Sequence, residues 1–177
     1  METFWRQGYH HTSIQDLVQA MGINRASLYD TFTDKHTLYL AALSQYSLLQ
    51  TNDIAETVSA AHTAKTKVRA IFDRITYDLH EDTERKGCFL TNASLEMLPH
   101  YPDVQALLLA NAEALQITLY QLLTTGLATG ELPPALNPAT VVPYLASQLV
   151  GLRVLAKTQP NVATAQAITD LVMSVLE

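Results

Sequence analysis

Three side chains with hydrogen-bonding chemistry, Arg25, Ser27 and Tyr29, alternate with other residues near the start of the chain. Asn24 precedes them and is a residue type that caps helix starts, so we expect a short helix with these side chains on its outside. A guanidinium, a hydroxyl and a phenol can all donate hydrogen bonds to anions and polar groups. Because a helix this short is rarely stable alone, the segment predicts a helix that is supported from behind and inserted into a partner.

A preceding helix must position this one. Thr12 and Gln15 have the spacing of a capping box, and Gly22 can adopt the positive φ of a tight turn between the two helices. Helix, short turn and helix together are typical either of an ordinary helical hairpin or of a DNA-binding helix-turn-helix. The apolar residues predicted to hold the pair together are Ile14, Leu17, Val18, Ile23, Leu28 and Phe32.

The remainder of the sequence predicts an all-α protein. The 177 residues are 48% hydrophobic and include only six glycines and seven prolines, so a disordered or fibrous chain is excluded and one sizeable core is expected. Breaks are predicted at Gly87, around Pro99, after Gly130 and at Pro160, and Pro143 should lie inside a helix. The predicted helices cover residues 2–7, a long helix after Asp34, and then 65–79, 88–98, 102–129, 138–157 and 162–176.

Charge and cysteine content limit the possible classes of protein. The net charge is −6, which is the wrong overall sign for a nucleic-acid binder, although most of the acidity lies beyond residue 50. Cys88 is the single cysteine and the N-terminus lacks a signal-peptide pattern, so we expect a cytoplasmic protein without a disulfide. The apolar stretch 141–156 is interrupted by polar residues, so we expect a doubly buried helix and no membrane span.

Three motifs with fixed spacing span Gly8 to Leu38. They read G-Y-x-x-T-S-I-x-D-L, M-G-I-x-x-A-S-L-Y-D-x-F and D-K-H-x-L. This stretch resembles the DNA-binding head of the TetR family of transcriptional regulators. The resemblance implies a helix-turn-helix DNA-binding domain over residues 1–36 and a ligand-binding and dimerisation domain over 37–177. It also implies a homodimeric repressor that binds a palindromic operator and is released by a small, largely apolar effector.

The helix capped by Asn24 would then enter the major groove of the DNA. Its predicted base contacts are Arg25 to guanine, Ala26 to a thymine methyl group, and Ser27 and Thr31 as adaptable hydrogen-bonding groups. Predicted phosphate contacts are the helix start at Thr12 and Ser13, the Tyr29 hydroxyl and Lys35.

Two features depart from the family pattern. The first helix begins later than in relatives, so either the sequence is clipped and its first segment is missing, or the loss of backbone contacts weakens DNA binding. Asp30 would place a carboxylate near phosphates, where it is repelled unless it accepts a hydrogen bond from a cytosine amino group.

The C-terminal part is predicted to contain the dimer interface and the effector pocket. A helix that is apolar on two sides must be covered twice, and a second subunit can provide one cover; a monomeric core is the alternative. The predicted interface residues are Val142, Leu145, Leu149, Leu152, Ile168, Leu171, Val172 and Val175. The predicted pocket residues are Phe72, Tyr77, Cys88, Phe89, Asn92, Met97, Tyr101 and Tyr120. Taken singly, each is more typical of a core position than of a ligand contact.

Other functions have less support in the sequence. An enzyme that uses Cys88 or His80 would need a nucleophile motif, a glycine-rich phosphate loop or paired carboxylates, and none is present, so we expect no enzymatic activity and no cofactor. The histidines lack metal-ligand spacing, and Cys88 is expected to be inert rather than an oxidant sensor. A helical interaction module that has lost DNA binding remains the second hypothesis.

Overall fold

A computed structural model describes residues 1–158 and 161–177, with the backbone alone at Leu79. Within this described part the chain forms nine α-helices, and the predicted all-α fold is confirmed. The predicted break at Pro160 lies outside the described residues. The helices are α1 (Glu2–Gln7), α2 (Ile14–Met21), α3 (Arg25–Thr31), α4 (Lys35–Ala60), α5 (Ala64–Glu81), α6 (Phe89–Met97), α7 (Pro102–Ala128), α8 (Pro138–Thr158) and α9 (Val162–Ser174).

The helices are distributed over two compact units, each with its own core. The first unit contains residues 1–50 and 88–109, and the second contains residues 51–87 and 110–177. The first unit is therefore larger than the predicted DNA-binding segment 1–36, because it also takes in the start of α4, all of α6 and the first turns of α7. The functional division at residue 36 stays a prediction.

The core of the first unit supports α2 and α3 from behind. Leu28 of α3 is fully buried and Leu17 and Val18 of α2 are nearly so, as the helical periodicity predicted. An aromatic cluster extends this core: the Tyr39 ring lies edge-on to Phe4, with 5.1 Å between ring centroids. Further members from α6 and α7 are Phe89, Leu90, Ala93, Met97 and Val104. These sequence-distant residues give the short N-terminal helices the apolar contacts that they lack alone.

The start of α2 differs from the prediction by one residue. Ser13, not Thr12, is the N-cap, and it forms a capping box with Asp16 rather than with Gln15. The Thr12 hydroxyl instead donates a hydrogen bond to the carbonyl oxygen of Gly8 at 2.6 Å. Thr12 and Ser13 are both residue types that can cap a helix. The Thr12 side chain is buried and its hydroxyl is bonded to the preceding loop, which leaves Ser13 as the cap.

The turn and the next two caps agree with the prediction. Gly22 adopts the left-handed conformation at the end of α2. The Asn24 side chain accepts a hydrogen bond from the Ser27 amide, and Asp34 accepts one from the Thr37 amide at the start of α4. These caps depend on neighbours in sequence, which is why the pattern located them.

The second unit is built around α5, α8 and α9, and its core corrects the predicted dimer interface. Five of the eight predicted interface residues are buried within this unit and cannot meet a second subunit. They belong to the apolar face of α8 or α9 that covers the protomer's own core. These five residues are Val142, Leu145, Leu149, Leu152 and Val172.

Among the described residues, α7 and α8 are long and apolar enough to cross a membrane by length and composition. The expected absence of a membrane span was based on the stretch 141–156, whereas the full α8 helix extends from Pro138 to Thr158. Both helices place apolar residues in the protein core, such as Leu123 of α7 and Leu145 of α8. Packing in the protein core therefore explains why these buried positions of α7 and α8 are apolar.

Candidate nucleic-acid interface

The outer edge of α3 is exposed in the first unit. All four predicted base-contacting residues, Arg25, Ala26, Ser27 and Thr31, are solvent-exposed, whereas Leu28 of the same helix is fully buried. The helix therefore has one face that anchors it and one that is free to meet a ligand. The seven-residue length of α3 suits a helix that makes a few contacts at its N-terminal end.

Arg25 and Tyr29 lie one helical turn apart and interact. The Arg25 guanidinium carbon lies 5.6 Å from the centroid of the Tyr29 ring, within the range of a cation–π contact. Because this contact restricts a long and otherwise mobile side chain, Tyr29 orients Arg25 along the exposed edge. The Tyr29 side chain itself is partly exposed, at 40%.

The two residues predicted to contact phosphate at the start of α2 differ in their exposure. Thr12 is only 1% exposed, so its side chain cannot reach a phosphate. Ser13 is exposed, but its amide and its hydroxyl both donate hydrogen bonds to Asp16 Oδ2, at 2.8 and 2.6 Å. These hydrogen bonds hold the pKa of Asp16 below its ordinary value. A phosphate at this helix end must therefore compete with a carboxylate that is already bound there.

Lys35, the first residue of α4, is fixed in place. Its Nζ atom donates a hydrogen bond to the Thr12 carbonyl oxygen at 2.8 Å and lies 4.4 Å from the centroid of the Tyr9 ring. An ammonium group has three donors, so one hydrogen bond leaves others available for an anion. The lysine charge thus sits beside the loop that leads into α2, in an orientation set by two contacts.

The same unit also exposes acidic residues. Asp34 has its pKa lowered, mainly by the hydrogen bond from the Thr37 amide, so it carries a charge next to Lys35 at neutral pH. Asp30 is exposed on α3. The surface is therefore not a strongly basic patch, and hydrogen bonding and shape must contribute a larger share of any DNA affinity than charge does.

The sequence prediction missed the residue that holds the loop before α2. Glu96, near the end of α6, accepts hydrogen bonds from the backbone amides of Tyr9 at 2.9 Å and His10 at 2.8 Å. A second such contact joins His36 Nε2 to Asp103 Oδ2 at 2.6 Å. No local pattern could reveal these pairs, because more than sixty residues separate the partners in sequence.

The predicted effector-pocket residues are divided between the two units. Phe89 and Met97 are buried in the core of the first unit, and Phe72 in that of the second. Tyr77 and Tyr120 of the second unit are exposed on the surface. The first unit also contains Cys88, Asn92 and Tyr101. The effector site stays a prediction.

Comparison with known proteins identifies the family. Residues 64–171 match the family model for the tetracyclin repressor-like C-terminal domain, and residues 1–42 match that for bacterial regulatory proteins of the tetR family. The chain belongs to the TetR family. This assignment confirms the resemblance inferred from the motifs between Gly8 and Leu38 and makes the protein a TetR-family transcriptional regulator.

Individual relatives support the same assignment over most of the chain. This TetR-family protein is 29% identical over 178 residues to an uncharacterized HTH-type transcriptional regulator, YezE, of Bacillus subtilis, covering 100% of this chain and 92% of the relative. It is 27% identical to the HTH-type transcriptional repressor ComR of Escherichia coli, covering 89% of this chain and 75% of the relative.

A solved structure shows the same fold. The TetR-family regulator CifR, in a cysteine mutant complexed with 26 bp of operator DNA, superposes with a TM-score of 0.85. The match covers 97% of this chain and 90% of that chain at 24% sequence identity. At this identity the likeness shows the fold of the TetR-family protein and not its operator.

Proposed function

We propose that this regulator is a repressor that binds a palindromic operator as a homodimer and is released by a small, largely apolar effector. It acts in the cytoplasm, where the DNA is accessible. The observation that carries the proposal is the exposed edge of α3, which is supported from behind by the buried Leu28. Two comparisons support the proposal: one relative is a transcriptional repressor, and a protein of the same fold is bound to operator DNA in its solved structure.

Base recognition is assigned to the N-terminal part of α3. Arg25 supplies a guanidinium that can donate two hydrogen bonds to guanine, and Ser27 and Thr31 supply hydroxyls. Thr31 must exchange a partner to do so, because its hydroxyl lies 3.3 Å from the Ser27 carbonyl oxygen. Ala26 presents a methyl group to thymine. Arg25 is therefore the residue expected to contribute most to specificity.

Phosphate contacts are assigned to Lys35, the Tyr29 hydroxyl and Ser13. Lys35 and Tyr29 are the stronger candidates, because each offers a donor without breaking a capping box. Ser13 would have to release its hydroxyl from Asp16, and Thr12 is removed from this set by its burial. These contacts would set the position of the protein on DNA without reading its sequence.

Dimerisation is assigned to the exposed apolar side chains of α8 and α9. Val150 and Val154 of α8 lie one helical turn apart and are exposed, as is Leu171 of α9. A side chain added at Gly151 would meet no atom within 4 Å, so the backbone there is open to close approach by a second subunit. A two-fold dimer would present two copies of α3 to a palindrome. Val175 and the half-buried Ile168 belong to the same assignment.

Gel retardation with the DNA flanking the protein's own gene, at low and moderate salt, tests the proposal. Arg25→Ala should reduce the preference for operator over unrelated DNA by about 5- to 150-fold, since a good bidentate base contact contributes about 1–3 kcal/mol. Lys35→Ala should weaken binding to both DNAs alike. Lys67→Ala removes one positive charge from the second unit and serves as the control. Absence of retardation by the wild type at both salt concentrations would favour an interaction module instead.

Release by an effector requires that the ligand bind the form that cannot hold DNA more tightly than the form that can. Small aliphatic and aromatic compounds added to the retarded complex test this part. At least one should restore free DNA in a concentration-dependent manner. If every compound leaves the complex intact, the apolar effector class is rejected, while DNA binding by α3 is judged separately.

A further inference from the structure

The carboxylate of Glu96 binds the loop between α1 and α2 with both oxygens. Oε2 accepts the Tyr9 amide at 2.9 Å and Oε1 accepts the His10 amide at 2.8 Å. Hydrogen bonds from backbone amides to an ionised carboxylate are stronger than those between neutral groups. One side chain of α6 therefore fixes two consecutive peptide groups of the N-terminal segment.

Gly8 makes this contact possible. Its φ is +80°, and a Cβ atom at this position would lie 2.7 Å from Glu96 Oε2 and 2.9 Å from Oε1. No other residue type combines the positive φ with the missing side chain. The glycine of the G-Y motif is thus explained by the close approach of a carboxylate from α6.

The loop that Glu96 holds also carries the contacts of Lys35. The Tyr9 ring lies beneath the Lys35 ammonium group, and the Thr12 carbonyl oxygen accepts its hydrogen bond. Thr12 is in turn held to Gly8 through its hydroxyl. The segment from Gly8 to Thr12 is therefore a connected structure that leads directly into the start of α2.

The contact between His36 and Asp103 lies beside the same segment, since the His36 ring packs against Tyr9. The two side chains are 24% and 49% exposed. Exposed pairs of this kind contribute little to stability. Glu96 makes the two-pronged contact with backbone amides and is the more consequential of the two attachments.

We propose that Glu96 is a positioning residue for DNA binding, which fixes the Gly8–Thr12 loop and so places Lys35 and the start of α2 against the phosphates. The inference rests on the proposed function of the α2–α3 surface. Glu96 touches no DNA itself and acts through the Tyr9 and His10 amides.

A role of Glu96 through its charge and a role through positioning the loop predict opposite changes in DNA affinity when the carboxylate is removed. Loss of a carboxylate from the DNA-binding unit reduces repulsion of phosphates and would raise affinity if Glu96 acted only through its charge. Loss of the hydrogen bonds frees the loop and lowers affinity. Glu96→Gln keeps one carbonyl oxygen that can accept one amide, and Glu96→Ala keeps none.

The test compares wild type, Glu96→Gln and Glu96→Ala on the duplex that the wild type selects from a randomised library. Affinity should fall in that order, with the alanine variant weaker by about tenfold, or about 1.4 kcal/mol. Glu113→Gln removes an exposed charge from α7 in the second unit and should bind like the wild type. Equal or tighter binding by both Glu96 variants would overturn the inference.

Amide hydrogen exchange separates positioning from a general loss of folding. In Glu96→Ala, which keeps no acceptor, exchange should become faster at Tyr9 and His10 while the amides within α2 and α3 keep their protection. Unchanged exchange at those two amides would contradict the proposal, as would weaker DNA binding that merely follows the unfolded fraction. A wild type that selects no duplex would reject the proposed function itself, whereas equal binding by wild type and variants rejects only the role of Glu96.

Discussion

Replacing Leu171 of α9 by alanine should weaken dimerisation without unfolding the protomer. Leu171 is 68% exposed, so the substitution removes little from the core of its own subunit, and alanine is at least as good a helix former as leucine. The residue is assigned to the subunit interface together with Val150 and Val154. In a two-fold dimer each subunit loses the same side chain.

The size of the effect follows from the exposed fraction. Leucine and alanine differ by three carbon atoms, equivalent to about 2.4 kcal/mol when fully buried. With 68% of the side chain left to be covered by a partner, the loss is about 1.6 kcal/mol per subunit and about 3 kcal/mol per dimer. The dimer dissociation constant should therefore rise by roughly 200-fold.

Sedimentation equilibrium over a series of protein concentrations measures this constant. Leu95→Ala is the matched control, because Leu95 of α6 is 75% exposed but belongs to the first unit and is not assigned to the interface. Thermal unfolding monitored by circular dichroism establishes that both variants are folded. Equal dissociation constants for the two variants would refute the assignment of Leu171, and a stronger effect of Leu95→Ala would place the interface elsewhere.

Three further predictions concern the first unit. Gly8→Ala should lower the thermal midpoint and the DNA affinity, because the added Cβ would lie 2.7 Å from the Glu96 carboxylate; a melting curve equal to that of wild type would contradict this. Tyr39→Phe should raise the free energy of unfolding by about 1 kcal/mol, because the Tyr39 hydroxyl is buried and has no hydrogen-bond partner in the described part of the chain; urea unfolding measures this change, and a loss of stability would show that the hydroxyl is bonded. Asp103→Asn should reduce the acid sensitivity of stability by a small amount, because the hydrogen bond from His36 lowers the pKa of Asp103 but the pair is partly exposed. This contribution is complete above the unfolded value of about 3.9 and is lost as the pH falls through the lower folded value, so urea titrations at a series of acidic pH values should show a flatter profile for the variant than for wild type.

The helices of the DNA-binding head were predictable because their signals are local. Asn24 and Asp34 each accept a hydrogen bond from an amide three residues further on, and Gly22 takes the positive φ that ends α2. The one error, Thr12 in place of Ser13, arose where two adjacent residues could both cap. Only the packing of the preceding loop, which draws the Thr12 hydroxyl to Gly8, distinguishes them.

Periodicity also located the apolar residues of α8 but not their partners. A pattern that covers two faces of a helix shows that both need cover and does not show which face meets the protomer's own core. Leu145 and Leu149 therefore belong to that core, while Val150 and Val154 remain exposed.

The amino-acid sequence by itself determined the helical class, the turn after α2, the caps at Asn24 and Asp34, and the family, since these depend on residues close together in the chain. The tertiary structure alone decided that Glu96 holds the loop before α2, that Lys35 rests on Tyr9 and that Thr12 is buried. The physical reason is that contacts between segments separated by many residues depend on how helices pack. A one-dimensional pattern does not contain that packing.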